Sequence, residues 1–249
     1  PGLSLGIILT FALGIGANSI MYGTVDPFLL SPPAHIADAG AVKRLYVDYY
    51  SEAGGRRIVN STYSYPEYRE QQSARSFAGI AGFATNNVVI GRAGDGEEGL
   101  SQWATGNFFD LLGVQAVRGR FFTSAEDRIG GEQVAVISYS YWRRKYGSAE
   151  GVLGRTLDFG YGTFTIIGVA PRGFTGPSLS PVDFWIPMHV AASLIQGGGW
   201  ANQRNWSWFE TVARMEPGVS GAAATAEATA LNANGWQDEI AKGNYGKDP

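Results

Sequence analysis

The side chains that perform most enzymatic chemistry are scarce in this sequence. Its 249 residues include 2 histidines, His35 and His189, and no cysteine. Transition-metal sites are built from His and Cys in clustered spacing, so no such site is expected, and disulfides are excluded. His35 lies in a proline-rich segment and reads as an exposed loop residue. His189 follows a predicted strand and fits a satisfied structural role better than a catalytic one. Ser138 and Ser140 sit at a strand-to-helix turn, where a nucleophile elbow would place its serine. The G-x-S-x-G that this elbow needs is missing, and Ser138 is better explained as a helix cap. Glu97-Glu98 and Glu126-Asp127 are paired carboxylates, the residue types of glycoside hydrolysis. Neighbours in sequence seldom share one site and both pairs fall in turns, so solvated acids are the preferred reading. Trp200, Trp206 and Trp208 fit either a sugar-stacking platform or core packing. Alternation puts Trp206 and Trp208 on one face of a strand, and packing is the stronger alternative. Arg92–Gly99 (RAGDGEEG) lacks the Gly-Lys-Ser/Thr of a phosphate loop and reads as a hairpin tip. No catalytic, cofactor-binding or metal-binding residue is therefore assigned, and no cofactor is expected.

The elements that would position these residues alternate between strands and short helices. Strands are predicted at Lys43–Tyr50, Arg56–Val59, around Val88–Ile90, Leu100–Thr105, Gln133–Ile137, Thr156–Phe159, Thr163–Val169, Phe184–Met188 and Trp206–Met215. Ser64, Pro66 and Glu67 form a capping-box pattern for a helix running to about Ser73. Asn107–Leu112 is a short helix closed by Gly113, and Ser138 starts a helix over Tyr139–Tyr146 that Gly147 ends. A further short helix is predicted over His189–Ile195, and Ser220 caps an Ala-rich helix to about Asn232. Arg118–Phe122, Thr123–Asp127 and Ala170–Pro181 read as loops. The 35 glycines and 13% aromatic content agree with many turns and strands. The fold class is α+β. With 19 Lys and Arg against 22 Asp and Glu, the formal net charge is -3, and no basic patch supports nucleic-acid binding.

One stretch stands apart. Leu3–Thr24 (LSLGIILTFALGIGANSIMYGT) has no charged side chain. At roughly 22 residues it is long enough to cross a bilayer as one helix with its backbone hydrogen bonds satisfied internally. A buried core helix is the main competing reading. Gly2, Gly6, Ala12 and Gly16 make small-xxx-small pairs that suit contact with a neighbouring helix as well as ordinary membrane-helix composition. Pro27, Pro32 and Pro33 make a stiff exit. No Lys or Arg follows until Lys43, and a bare flank favours the non-cytoplasmic side for the rest of the chain. The sequence begins at Pro1 rather than Met, so an upstream piece is expected.

A set of short stretches, in order, resembles a known family. They are ALGIGAN at 12–18, SYPEY at 64–68, RSF at 75–77, GNFFDLLGV at 106–114, GRFF at 119–122 and VISY at 136–139. GRT at 154–156, IGVAP at 167–171, FWIP at 184–187 and PGVS at 217–220 complete the series. The set is similar to the first membrane helix and periplasmic core domain of MacB-type ABC transporter permeases, and within them to the duplicated orphan permeases of acidobacteria. Asp38–Ala41 and Trp236–Pro249 depart from the pattern. The resemblance implies an N-terminal transmembrane helix over residues 1–25 and a mixed α/β periplasmic domain of two lobes over 26–249. An inserted lobe is expected within about 80–180. It implies a non-enzymatic subunit of the cell inner membrane, with the soluble domain in the periplasm. That domain would couple ATP hydrolysis by a separate ATPase subunit to export of a periplasmic substrate. The implied partners are the lipid bilayer, the other transmembrane helices of the full-length permease, the ATPase and a second copy in a dimer. The alternatives are a membrane-anchored periplasmic carbohydrate-binding or hydrolase domain and a tethered interaction domain.

Overall fold

Val134–Ile137 (VAVI, β8) and Phe184–Pro187 (FWIP, β11) carry no polar side chain, and every residue of both is buried. Such runs belong to strands covered on both faces. In the computed structural model, which describes residues 33–51, 56–91, 96–178 and 180–243, they lie in the interior of a ten-stranded mixed sheet. The other strands of this sheet are β1 (Val42–Arg44), β4 (Thr62–Tyr63), β5 (Phe77–Ile90), β6 (Glu97–Ala104), β7 (Arg118–Gly119), β9 (Thr156–Asp158), β10 (Thr163–Val169) and β12 (Phe209–Met215). Their order is β1-β12-β5-β6-β11-β8-β10-β7, with β4 also on β12 and β9 also on β10. The pairs β10–β8 and β11–β6 are parallel and the rest antiparallel. A separate hairpin pairs β2 (Val47–Ser51) with β3 (Arg56–Asn60).

Successive side chains of a strand point to opposite faces, and two cores result. Ala135, Ile137, Phe184 and Ile186 enter one, and Val134, Val136 and Trp185 the other. The first face is covered by helices α1 (Tyr65–Gln71), α3 (Tyr139–Tyr146), α4 (Met188–Gln196) and α5 (Gly221–Ala241). The second is covered by α2 (Phe108–Leu112) and by loop residues including Phe122, Phe174 and Val182. Each large side chain fully buried this way contributes about 1.5–3 kcal/mol.

The helix starts follow the sequence signals. Ser64 and Glu67 close the capping box, with the Ser64 amide donating to Glu67 Oε2 at 2.8 Å and the Glu67 amide to Ser64 Oγ at 3.4 Å. Ser138 caps α3 through the Tyr141 amide at 3.1 Å, and Gly147 ends it at φ +56°.

Four expectations are corrected. The strand expected over Lys43–Tyr50 divides at Leu45, whose amide makes a last bond to the Thr211 carbonyl before the chain leaves the sheet for the β2–β3 hairpin. Phe77–Ile90 is one continuous strand of 14 residues. Its alternation vanishes because Ile80 and Ala84 enter one core while Ala81 and Phe83 enter the other. Arg118–Gly119, expected in a loop, pairs with the edge of β10. Helix α5 continues to Ala241 instead of ending near Asn232. Its extension is pinned by Arg204, which is buried, forms a two-pronged ion pair with Glu70 at 2.5 and 2.7 Å, and stacks 5.0 Å from the Trp236 ring. Gly235 makes this possible, since a Cβ there would collide with both partners of the pair.

The membrane-helix reading of Leu3–Thr24 lies outside the described residues. Among those described, no helix is long and apolar enough to cross a membrane.

Candidate functional site: the seam at Phe83

Strand β5 does two jobs in succession. Residues 77–83 pair with β12, and residues 83–90 pair with β6 on the opposite edge. Phe83 alone is in register with both neighbours, facing Glu210 on one side and Ala104 on the other. The sheet is thus two half-sheets that overlap by one residue. The β12 half holds β1, β4, β12 and the start of β5. The β8 half holds the rest.

Where β6 stops at Ala104, one more backbone bond and two side-chain bonds carry on from its ladder. The Gly82 amide donates to Thr105 Oγ1 at 3.0 Å, the Thr105 amide donates to the Gly82 carbonyl at 3.0 Å, and Asn107 Nδ2 donates to the Ile80 carbonyl at 2.7 Å. Gly82 has no Cβ because the Phe209 ring occupies that space.

Polar and aromatic contacts cross the seam on both sides. Asp127, in the turn after Phe122, accepts the Gly106 amide at 2.8 Å and the His189 amide at 2.7 Å. Its Oδ2 lies 3.0 Å from His189 Nδ1, and His189 Nε2 lies 2.8 Å from the Tyr65 hydroxyl. The line Asp127–His189–Tyr65 joins a turn and α4 of the β8 half to α1 over the β12 half. Trp200 packs edge-on against Tyr65 at 5.0 Å. Trp103 of β6 meets Trp208, which leads into β12, at 5.8 Å. Arg214 of β12 donates to the Leu111 carbonyl of α2 at 2.8 Å.

Burial shapes the electrostatics here. It raises the Tyr65 hydroxyl above its ordinary range, with Arg69 opposing and Asp127 assisting. It pushes Tyr68 up to about 12. Burial also opposes ionisation of Glu126, but the Thr123 hydroxyl and amide and Arg120 together prevail and bring its carboxyl down to about 2.

The residues singled out in the sequence fall as follows. His189 is a bonded member of the seam. Glu126 and Asp127, expected as solvated acids, are both buried and anchor their turn. Two backbone amides and a histidine beside Asp127, and a hydroxyl, an amide and Arg120 around Glu126, offset the cost of that burial. Glu97 pairs with Lys145 at 2.8 Å. Ser138 contacts the Tyr141 amide and Ser140 and serves as a cap. His35 is exposed, its Nε2 2.8 Å from the Arg172 carbonyl. Trp206 and Trp208 precede β12 rather than alternating within it, and Trp200 is fully buried against Trp208 at 5.5 Å. The three rings pack against the core and present no shared platform. Sequence reading missed Thr105, Asn107 and Arg214, whose roles come from strand ends that meet only in the folded sheet.

The fold has known counterparts. The periplasmic region of MacB from Actinobacillus actinomycetemcomitans aligns with a TM-score of 0.56 at 16% identity, covering 76% of this chain and 81% of that one. The extracellular domain of the noncanonic ABC-type transporter YknZ from Gram-positive bacteria aligns with a TM-score of 0.57 at 14% identity, covering 78% and 94%. A permease-protein domain from Porphyromonas gingivalis gives 0.57 at 18% identity, covering 82% and 83%. At these identities the likeness shows a shared fold. A search of curated proteins found no match. The family profile described as MacB-like periplasmic core domain matches residues 4–231, and the chain belongs to that family.

Proposed function

We propose that this chain is part of an ABC transporter permease in which Leu3–Thr24 is the first membrane helix. The remainder is a periplasmic domain that couples ATP hydrolysis by a separate cytoplasmic subunit to export of a periplasmic substrate. The chain does no chemistry in this reading. It bends. The permease works as a dimer in the cell inner membrane, beside further membrane helices of the full-length protein.

The observation that carries the reading is the seam at Phe83. A sheet that overlaps by one residue can change the angle between its halves while breaking few ladder bonds, and packed elements switch between discrete arrangements more readily than they deform. The seam also supports beginning the inserted lobe near residue 83 and ending it before β12, somewhat later than the 80–180 expected. The prolines at 27, 32 and 33 support a reading in which motion of the membrane helix would pass through this exit segment to the soluble domain.

These 249 residues hold no cysteine, and any in the rest of the permease are first replaced by serine. Tyr65→Cys and His189→Cys are introduced together into the full-length permease and bridged across the seam with a short bismaleimide. Export should stop while ATP binding by the ATPase subunit persists, and each single-cysteine variant treated with the same reagent should still export. Undiminished export with the seam bridged would overturn the proposal.

A further inference from the structure

Strand β5 keeps an open edge beyond the seam. In an antiparallel pair, ladder bonds fall at every second residue. The Thr105 amide bonds the Gly82 carbonyl, so Gly82, Ala84, Asn86, Val88 and Ile90 turn their main-chain groups toward β6. Phe83, Thr85, Asn87 and Val89 turn theirs the other way, where Phe83 meets Glu210 of β12. Trp208 does not continue that pairing, because its amide donates to the Tyr63 carbonyl of β4 instead. The edge closes again at Gly91, whose amide donates to the Asp158 carbonyl of β9 at 2.8 Å. Between these two stops, the N–H and C=O groups of Thr85, Asn87 and Val89 have no partner among the described residues. All three residues are exposed.

This edge lacks the usual protection. Charged side chains and prolines on rim strands discourage pairing with another chain. β1 carries Lys43 and Arg44, β3 Arg56 and Arg57, β7 Arg118 and β9 Asp158. Residues 85–89 (TNNVV) have neither charge nor proline, and their register with β6 runs without a bulge. A row of free main-chain donors and acceptors is satisfied by another extended main chain. The window is also symmetric. Asn87 stands midway between the stops at Phe83 and Gly91. A two-fold axis at Asn87 sets Thr85 of one copy opposite Val89 of the other and pairs every free group. The side chains that meet there are neutral, so no like charges face each other.

We propose that this edge joins two copies of the chain through an antiparallel strand pair centred on Asn87. The inference deepens the transport reading and rests on its dimer. A strand pair this short is marginal between free molecules, whereas a membrane dimer holds two copies at high local concentration. The contact lies in the β8 half, so it would join the two copies on one side of the seam and leave the β12 halves free to turn.

The test is disulfide trapping in the full-length permease cleared of other cysteines. Facing Cα atoms of a hydrogen-bonded antiparallel pair lie about 5.5 Å apart, within disulfide reach. Two copies of residue 85, or of residue 89, would stand about 14 Å apart along the paired strands. Under copper-phenanthroline oxidation, Asn87→Cys should form a covalent dimer about tenfold faster than Thr85→Cys or Val89→Cys alone. Coexpressed Thr85→Cys and Val89→Cys permeases should cross-link to each other at the fast rate. Asn87→Pro removes an N–H that the single chain leaves free. It should slow this mixed reaction to the rate of the single variants with little change in Tm. Equal rates at 85, 87 and 89, or no disulfide from Asn87→Cys, would overturn the proposal. The size of the permease in detergent checks the transport reading separately. A dimer that does not cross-link at residue 87 sinks the edge contact alone, and a monomer sinks both.

Discussion

The β8 half surrounds its interior strands with apolar side chains on both faces, and all four residues of β8 and all four of β11 are buried. The β12 half is buried on both faces at its centre, where Val212 and Ala213 enter opposite cores, and opens toward its edge. β12 mixes buried positions with half-buried Glu210, Arg214 and Met215, and Lys43 and Arg44 of β1 are exposed. Area holds the first half together. The second relies more on placed polar contacts, such as Arg204 with Glu70 and Arg214 with the Leu111 carbonyl. Apolar contact tolerates small displacements, whereas a buried hydrogen bond is made or lost within a fraction of an ångström. A domain that moves would be expected to move at the boundary between these two kinds of cohesion, and the Asp127–His189–Tyr65 line lies there.

Four experiments break or sharpen the contrast. Phe83→Ala removes a fully buried ring in register with both halves and should cost about 3–5 kcal/mol in urea unfolding. One shared transition is expected, and two separate transitions would mean the halves are independent. Asp127→Ala leaves the Gly106 and His189 amides without acceptors, at a cost of about 3–4 kcal/mol. Hydrogen exchange should quicken at those two amides and leave Val134–Ile137 unchanged. Glu126 gives a pH dependence. Its folded carboxyl lies at about 2, below the ordinary 4.5, so its stabilisation is full above the ordinary value and is lost as pH falls toward 2. That stabilisation is roughly 3 kcal/mol, and Glu126→Gln should flatten this part of the acid-unfolding profile. The smallest effect belongs to Ser64→Ala, about 1 kcal/mol from loss of the α1 cap, read as a shift in urea midpoint at constant slope.

Local chemistry was legible in the sequence where a residue's partners lie within a few positions of it. Ser64 with Glu67, Ser138 with Tyr141, and Gly113 and Gly147 at helix ends all behave as read. Partners distant in the chain were illegible. Nothing near Asp127 announces that it will hold Gly106 and His189, and nothing near Gly235 announces an ion pair pressed against a helix backbone. The continuous strand β5 was hidden for a related reason: burial by two cores erases the alternation that identifies a strand. The family resemblance was legible because it rests on ordered motifs rather than on any one element.

The seam also orders the chain in time. All strands of the β8 half come from residues 83–187, one contiguous piece. The β12 half needs residues 42–44, 62–63, 77–83 and 209–215. During synthesis the first half has every strand once Pro187 has emerged, while Phe77–Phe83 waits for a partner still to be made. In that interval the nascent chain carries an open strand edge, the kind of surface that invites pairing with another chain. β12 is thus the last strand to arrive, and its arrival ends the exposure.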